Sequence, residues 1–216
     1  MAKILVIGGS RGIGKAVCQA AAAAGHDVRA MSRSGDAAPR RDSRLEGFAG
    51  DALKAGDVER ALDGVETVVQ ALGVAASLEM ITSPVTLFSE ATRILLPAME
   101  KTGVKRLIAV TGFGAGDCAA AINPLQRIPF RLVLGRAYDD KSIQESLIEA
   151  SALDWLIVRP GVLTNGSATD RYRVLMEPRE WRNGIVSRAD VADFITGYLD
   201  KDDLGRRKPV IIRYPL

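Results

Sequence analysis

Residues 3–14 read KILVIGGSRGIG, an apolar run that leads directly into a turn with four glycines. The run over positions 3–8 predicts a buried strand. Small and apolar residues then recur at helical spacing and predict a helix that stops at Gly25: Ile13, Ala16, Val17, Ala20, Ala21 and Ala24. A strand, a glycine turn and a helix in direct succession are typical of the first unit of a parallel sheet covered by helices.

The same alternation continues along the chain. Strand-like runs recur at positions 27–33, 45–49, 66–72, 106–111, 155–159 and 209–213, with helical patterns between most of them. Three further helices are predicted: one capped by Ser83 with Pro84 in its first turn, one over positions 137–150 and one over positions 188–199. The predicted class is therefore α/β, a doubly wound parallel sheet of the Rossmann type in three α/β/α layers.

The length predicts one domain. A chain of 216 residues fits a single unit over positions 1–216, with a small substrate-side part at about positions 161–187. Glycine and proline make two segments irregular, positions 113–130 and 161–185. Ligands of doubly wound sheets bind outside the carboxyl ends of the strands, where such loops emerge. These segments are the predicted walls of a substrate site.

Composition excludes several classes of site. The net charge of +3 is spread along the chain, which does not predict a nucleic-acid surface. With two cysteines, Cys18 and Cys118, and one histidine, His26, neither a metal site, a disulfide framework nor a histidine triad is expected. No run is long enough to predict a membrane span. We expect a cytoplasmic protein, a monomer or homodimer, whose partner is a small-molecule substrate or a regulatory protein.

The glycine turn predicts a dinucleotide site, because the N-terminus of the following helix presents backbone N–H groups to a pyrophosphate. Gly8 permits a turn conformation closed to other residues, Gly12 allows backbone to approach phosphate, and Gly14 allows the helix to pack close to the sheet. Ser10 and Ile13 complete the predicted turn. The alternative is a tight turn with a purely structural role.

The end of the second strand bears on the choice of cofactor. An acidic residue there would accept from the ribose hydroxyls of NAD(H), but Arg33 stands at this point. Arg33, with Arg11 from the glycine turn, is suited to bind a 2′-phosphate, so NADP(H) is favoured over NAD(H). Asp36 lies close enough in sequence that NAD(H) stays an alternative cofactor. For each of the two arginines, the alternative role is an exposed residue that aids solubility.

The glycine spacing, with three residues between Gly8 and Gly12 and one before Gly14, resembles the short-chain dehydrogenase/reductase superfamily. Three more segments match in chain order: Gly50-Asp51-Ala52, Ala71-Leu72-Gly73 and Thr111-Gly112. The resemblance places Asp51 and Ala52 beside the adenine and the segment from Ala71 to Gly73 beside the adenine-side ribose. For Asp51, a turn cap is the alternative.

Downstream, Lys141 and Glu145 precede Arg159-Pro160-Gly161, which is similar to the atypical, NAD(P)H-binding branch that includes NmrA-like proteins. The resemblance adds Pro160, Gly161 and Lys141 to the cofactor site. The structural alternative for Lys141 is an exposed lysine paired with Glu145 one helical turn away.

Catalytic members of this superfamily have a tyrosine four residues before the active lysine. The tyrosine donates a proton while the cofactor delivers hydride. Here Ala137 occupies that position, and the nearest phenol is Tyr138, three residues before Lys141. The usual serine after the fifth strand is also missing, which leaves Thr111 as the nearby hydroxyl. The candidate catalytic residues are therefore Tyr138, Lys141 and Thr111, with simple packing as the alternative role for Tyr138.

These features predict an NADPH-dependent oxidoreductase that transfers hydride to a small carbonyl or similar acceptor. Because the tyrosine is shifted by one position, a second hypothesis is a noncatalytic NmrA-like protein that senses NAD(P) or binds a partner. An epimerase-type isomerase that uses bound cofactor transiently is a third possibility.

Overall fold

The computed structural model describes residues 2–36, 44–74 and 84–215. Its strands are β1 (Lys3–Ile7), β2 (Asp27–Ser32), β3 (Leu45–Ala49), β4 (Thr67–Gln70), β5 (Arg106–Val110), β6 (Asp154–Pro160), β7 (Val162–Thr164), β8 (Arg173–Leu175), β9 (Gly184–Ser187), β10 (Val210–Ile212) and β11 (Tyr214–Pro215). Its α-helices are α1 (Gly12–Ala23), α2 (Ala55–Ala61), α3 (Leu87–Thr102), α4 (Pro124–Glu149) and α5 (Arg188–Leu199).

Eight of the described strands form one sheet in the order β3-β2-β1-β4-β5-β6-β10-β8. All neighbours in it are parallel except β8, which pairs antiparallel with β10 at the edge. Strand β1 lies between β2 and β4, so the winding reverses there and opens a crevice at the carboxyl ends of the strands. The predicted doubly wound α/β fold is confirmed.

The apolar run of β1 is explained by packing on both faces of the sheet. Ile4 and Val6 belong to the core cluster that packs against α1 and α5. Leu5 and Ile7 belong to the cluster on the opposite face, which packs against α2 and α3. Because successive side chains of a strand point to opposite faces, a strand covered by helices on both sides needs apolar residues at every position.

Helix α3 begins at Leu87, later than predicted. Ser83 lies outside the described residues, and Pro84 precedes the helix. The cap comes from another helix: the Asp140 carboxylate of α4 accepts hydrogen bonds from the backbone N–H groups of Phe88, at 2.8 Å, and Ser89, at 3.3 Å. A carboxylate from a distant part of the chain gives no local signal, which is why the predicted start was wrong.

Helix α4 is longer than predicted and begins inside the segment that was expected to be irregular. Asn123 caps it by accepting from the N–H of Leu125 at 3.0 Å. Pro124 occupies the first helical position, where the missing N–H costs no intrahelical hydrogen bond. This proline therefore starts a helix, although it lies in the segment at positions 113–130 that is predicted to be irregular.

The second segment predicted to be irregular contains the short strands β7 and β8 and the start of β9. Strands β7 and β9 form a small sheet with β11 from the C-terminal end, in the order β11-β9-β7, and β8 joins the edge of the main sheet. Gly161 lies where the small sheet approaches closely, because a Cβ at this position would overlap the carbonyl oxygen of Gly184. Among the described residues, no helix combines the length and apolar character needed to cross a bilayer.

Candidate functional site

A cleft of about 850 Å³ lies at the carboxyl ends of the parallel strands, at the point where the winding reverses. Most of the predicted site residues line it: Gly8, Ser10, Arg11, Gly12, Ile13, Arg33, Asp51, Ala52, Ala71, Leu72, Gly73, Thr111, Tyr138 and Lys141. Pro160 and Gly161 lie outside the lining. The carbonyl of Pro160 accepts from the N–H of Phe113 at 2.8 Å, and the N–H of Gly161 donates to Ile211, so both residues support the sheet beside the cleft.

The glycine turn has the geometry that a phosphate cradle requires. Gly8 adopts a φ of 90°, and a Cβ there would lie 2.7 Å from the carbonyl oxygen of Ala71. Gly12 adopts a φ of 58° and faces open space. A Cβ on Gly14 would overlap the carbonyl oxygen of Gly8, so this glycine lets α1 begin against the turn. The three roles predicted for these glycines agree with this geometry.

The N-terminus of α1 opens into the same cleft. Its capping position is Arg11, in an extended conformation, and no side chain caps the helix. The first N–H groups of a helix have no intrahelical partner, and the helix dipole adds positive potential at this end. The turn and the uncapped helix therefore fit the pyrophosphate of a dinucleotide.

Basic and hydroxyl side chains gather at the end of β2. Arg33 is exposed and lines the cleft together with Ser32 and Ser34. The Arg11 guanidinium lies elsewhere in the cleft, since it donates to the carbonyl of Gly73, just after β4 on the other side of β1, at 3.4 Å. Asp36 lies outside the lining, and its N–H donates to the Ser34 hydroxyl. This end of the cleft thus offers a cation to an anionic group.

Asp51 is a turn cap at the edge of the cleft, and its contact with the adenine stays a prediction. Its carboxylate accepts from the N–H of Leu53 at 3.0 Å, which makes it a turn cap, and its residue also lines the cleft. Its own N–H donates to the Asp57 carboxylate at 2.9 Å. This hydrogen bond is the main reason that the pKa of Asp57 lies below its ordinary value.

Lys141 lies at the opposite end of the cleft from Arg33. Its ammonium donates to the carbonyl oxygen of Thr111 at 2.5 Å, and it lies 4.9 Å from the ring centre of Phe88 and 5.2 Å from that of Tyr138. Burial lowers the pKa of Lys141 to about 8, although the nearby Glu145 carboxylate opposes the shift. The exposed lysine paired with Glu145 is therefore not found.

Tyr138 projects into the cleft beside Gly112. A Cβ on Gly112 would lie 2.5 Å from the phenol oxygen, so only glycine leaves room for this hydroxyl. Burial raises the pKa of Tyr138 to about 12, and Cys118 adds to the shift. The phenol is therefore neutral near pH 7 and can donate a proton.

A buried charge network behind Thr111 was missed in the sequence analysis. The Thr111 hydroxyl donates to the Glu145 carboxylate at 2.6 Å, so its proton is engaged while its oxygen can still accept a hydrogen bond. A catalytic role of this hydroxyl stays a prediction. The Arg159 guanidinium donates to both Glu145 oxygens, at 3.0 and 2.6 Å, and to Asp117 at 2.5 Å. Lys208 completes the network with a hydrogen bond to Asp117 at 2.7 Å.

Hydrogen bonds in this network shift the pKa values of Arg159 and Asp117 toward the charged forms. Burial opposes the charge on Arg159, yet its hydrogen bonds to Glu145 raise the pKa of the guanidinium above its ordinary value. Burial likewise opposes the charge on Asp117, but hydrogen bonds from Lys208 and Arg159 lower the pKa of its carboxyl. A sequence signal existed, because Arg159 interrupts an apolar strand and a fully buried arginine needs a carboxylate partner.

Four basic and aromatic residues of the 161–185 segment lie outside the lining of the cleft: Arg171, Tyr172, Arg173 and Trp181. The Tyr172 hydroxyl donates to Asp193 at 2.8 Å, and the ring of Trp181 lies 4.8 Å from the Arg159 guanidinium. The cleft instead contains Phe88, Leu163 and Arg188, which were not predicted.

Comparisons with known proteins agree with this geometry. The sequence model of a family described as NAD(P)H-binding matches residues 8–202. The structure of ChuY, an anaerobillin reductase from Escherichia coli O157:H7, is 28% identical, with a TM-score of 0.81, and the match covers 98% of this chain and 97% of that chain. ChuY from E. coli CFT073 is 25% identical, with a TM-score of 0.80, over 99% of this chain and 97% of that chain.

A third structure shares the fold. It is a short-chain dehydrogenase/reductase from Veillonella parvula DSM 2008 in complex with NADP, 16% identical, with a TM-score of 0.79, over 98% of this chain and 94% of that chain.

Proposed function

This chain belongs to the NAD(P)H-binding family, and from that premise we propose that it is an NADPH-dependent oxidoreductase that reduces a small carbonyl or similar acceptor. One observation carries the proposal: the Tyr138 phenol and the Lys141 ammonium both lie in the cleft that begins at the glycine turn. A proton donor at the far end of a dinucleotide cleft is what carbonyl reduction requires.

The residues that would hold the cofactor follow from the geometry. The turn from Gly8 to Gly14 and the N-terminus of α1 suit the pyrophosphate, while Arg33 and Arg11 suit a 2′-phosphate. Lys141, in the same cleft, would donate to ribose hydroxyls. When bound, NADPH supplies the hydride that is added to the acceptor.

Tyr138 supplies the proton in this proposal. Its raised pKa keeps the phenol protonated, so it donates a hydrogen bond to the acceptor oxygen and transfers its proton as negative charge develops there. The phenolate that remains is stabilised by the Lys141 ammonium, whose nitrogen lies 5.2 Å from the ring centre, and is reprotonated from water.

Anaerobillin is the first acceptor to test, because ChuY from E. coli O157:H7 is an anaerobillin reductase and its structure matches nearly the full length of this chain. The experiment follows nicotinamide absorbance with NADPH and anaerobillin, and then with a panel of aldehydes, ketones and quinones. We expect turnover that falls by about 10²-fold or more in Tyr138→Phe, since a general acid contributes on that order. Unchanged turnover in this variant removes Tyr138 from the mechanism.

A noncatalytic NAD(P)-binding protein is the second candidate, and one observation favours it. The Lys141 ammonium donates to the Thr111 carbonyl, and the pKa of Tyr138 is raised, whereas a catalytic lysine lowers the pKa of its tyrosine. NADPH binding without oxidation by any acceptor of the panel would select this candidate.

A further inference from the structure

The cleft carries an excess of positive charge. Its charged lining residues among those described are Arg11, Arg33, Lys141 and Arg188, against the single carboxylate of Asp51. Arg33 stands at the end of β2, Arg11 donates to Gly73 from the glycine turn, and Lys141 is bound to Thr111. Under the proposed function these three serve the cofactor, which leaves Arg188 without a role.

Arg188 begins α5, immediately after β9. Helix α5 packs beside α1 on the same face of the sheet, and the first residues of both helices, Arg188 and Gly12, line the same cleft. The guanidinium therefore stands across the cleft from α3 and α4, whose residues line the other side.

The Arg188 guanidinium is held in place but is not neutralised. One of its terminal nitrogens donates to the side-chain oxygen of Asn165 at 2.9 Å. Within the described part of the chain, no carboxylate lies within 4.0 Å of it. The two acidic residues nearest in sequence are engaged elsewhere, Asp190 with Thr169 and Asp193 with Tyr172. Donors remain for an anionic ligand.

The walls around this cation are apolar. Leu163 lines the cleft on the side of Arg188, and side chains from α3 and α4 face it: Leu87, Phe88, Leu134 and Ala137. A small, fully hydrated anion gains nothing from such walls, whereas a ligand with an apolar body buries surface against them.

We propose that Arg188 anchors an anionic group of the hydride acceptor, so that the substrate class is an apolar molecule that carries a carboxylate or a similar anion. This inference rests on the proposed function, since it concerns the acceptor of the same site. Asn165 is the positioning residue that orients the guanidinium, and a planar guanidinium binds a carboxylate through two parallel hydrogen bonds.

The test uses two fluorescent probes that differ in charge, with the protein saturated with NADP⁺. 8-Anilinonaphthalene-1-sulfonate is an apolar anion, and N-phenyl-1-naphthylamine has the same rings without the sulfonate. We expect Arg188→Gln to weaken binding of the anionic probe by at least about ten-fold, as a charge-assisted hydrogen bond implies, and to leave the neutral probe unchanged. Arg188→Lys keeps the charge and should lose less. Arg171→Gln, an exposed arginine outside the cleft, is the matched control.

Two results overturn the proposal. Equal affinity of the anionic probe for the wild type and Arg188→Gln would show that Arg188 binds no anion in the loaded cleft. A loss of NADP⁺ affinity in Arg188→Gln would assign the guanidinium to the cofactor pyrophosphate. Because the assay measures binding, it is independent of turnover: failure of every acceptor to be reduced counts against the oxidoreductase and not against the anion site.

Discussion

The phenol oxygen of Tyr138 lies 2.5 Å from the point that a Cβ on Gly112 would occupy. Glycine at position 112, just after β5, thus leaves the space that the phenol of Tyr138 occupies. The Cβ of a serine at position 112 would overlap the phenol oxygen of Tyr138.

Gly112→Ala should displace the Tyr138 phenol and overpack the site. We expect a loss of about 1–3 kcal/mol in the free energy of unfolding, measured by urea denaturation. In the Tyr138→Phe background the nearest ring atoms lie 3.1 and 3.2 Å from the new Cβ, so the loss should be smaller. NADPH affinity should change little. Equal losses in the two backgrounds would show that the contact between residues 112 and 138 carries no energy.

NADPH affinity should depend on pH through Lys141. The pKa of this lysine is lowered to about 8 in the free protein, so the ammonium is present below that pH and is lost above it. If the ammonium binds the cofactor, complex formation above pH 8 takes up a proton, and affinity falls by up to about ten-fold per pH unit. Calorimetric titrations of the wild type and Lys141→Met measure this, and parallel pH profiles would contradict it.

Arg159 should be required for stability more than any exposed arginine. Arg159→Met leaves the buried Glu145 carboxylate without the two hydrogen bonds from the guanidinium and without its countercharge, which should cost about 3–5 kcal/mol in urea unfolding. Combining it with Glu145→Gln removes the unpaired charge and should recover part of the loss. Asp117→Asn, at a half-exposed carboxylate, is the control and should cost about 1 kcal/mol or less. A double variant as unstable as Arg159→Met would argue against this account.

The main features of the fold were predictable because they are encoded locally. The apolar run of β1 and the glycines at positions 8, 12 and 14 follow from backbone sterics and burial, and the structure has them as predicted. The start of α3 was not predictable, since its cap is the distant Asp140. Strands β7 to β9 are three or four residues long, too short to show periodicity within a glycine-rich segment.

The cofactor end of the cleft was likewise more predictable than the acceptor end. The phosphate turn occupies consecutive residues, so the sequence contains its whole geometry. The acceptor end is assembled from β5, α3, α4, β7 and α5, and the presence of Arg188 in the same cleft as Tyr138 and Lys141 depends on tertiary packing. The hydrogen bond from the Thr111 hydroxyl to Glu145 was not predictable, because the two residues are 34 positions apart in sequence.

The most direct test of the account is calorimetric titration of the purified protein with NADPH and NADH, repeated with Arg33→Ala and with Arg171→Ala as the control. The account predicts that NADPH binds more tightly than NADH and that Arg33→Ala weakens NADPH by about ten-fold or more while NADH and the control are unaffected. Absence of binding by either nucleotide would contradict it, because the glycine turn would then be a structural element only.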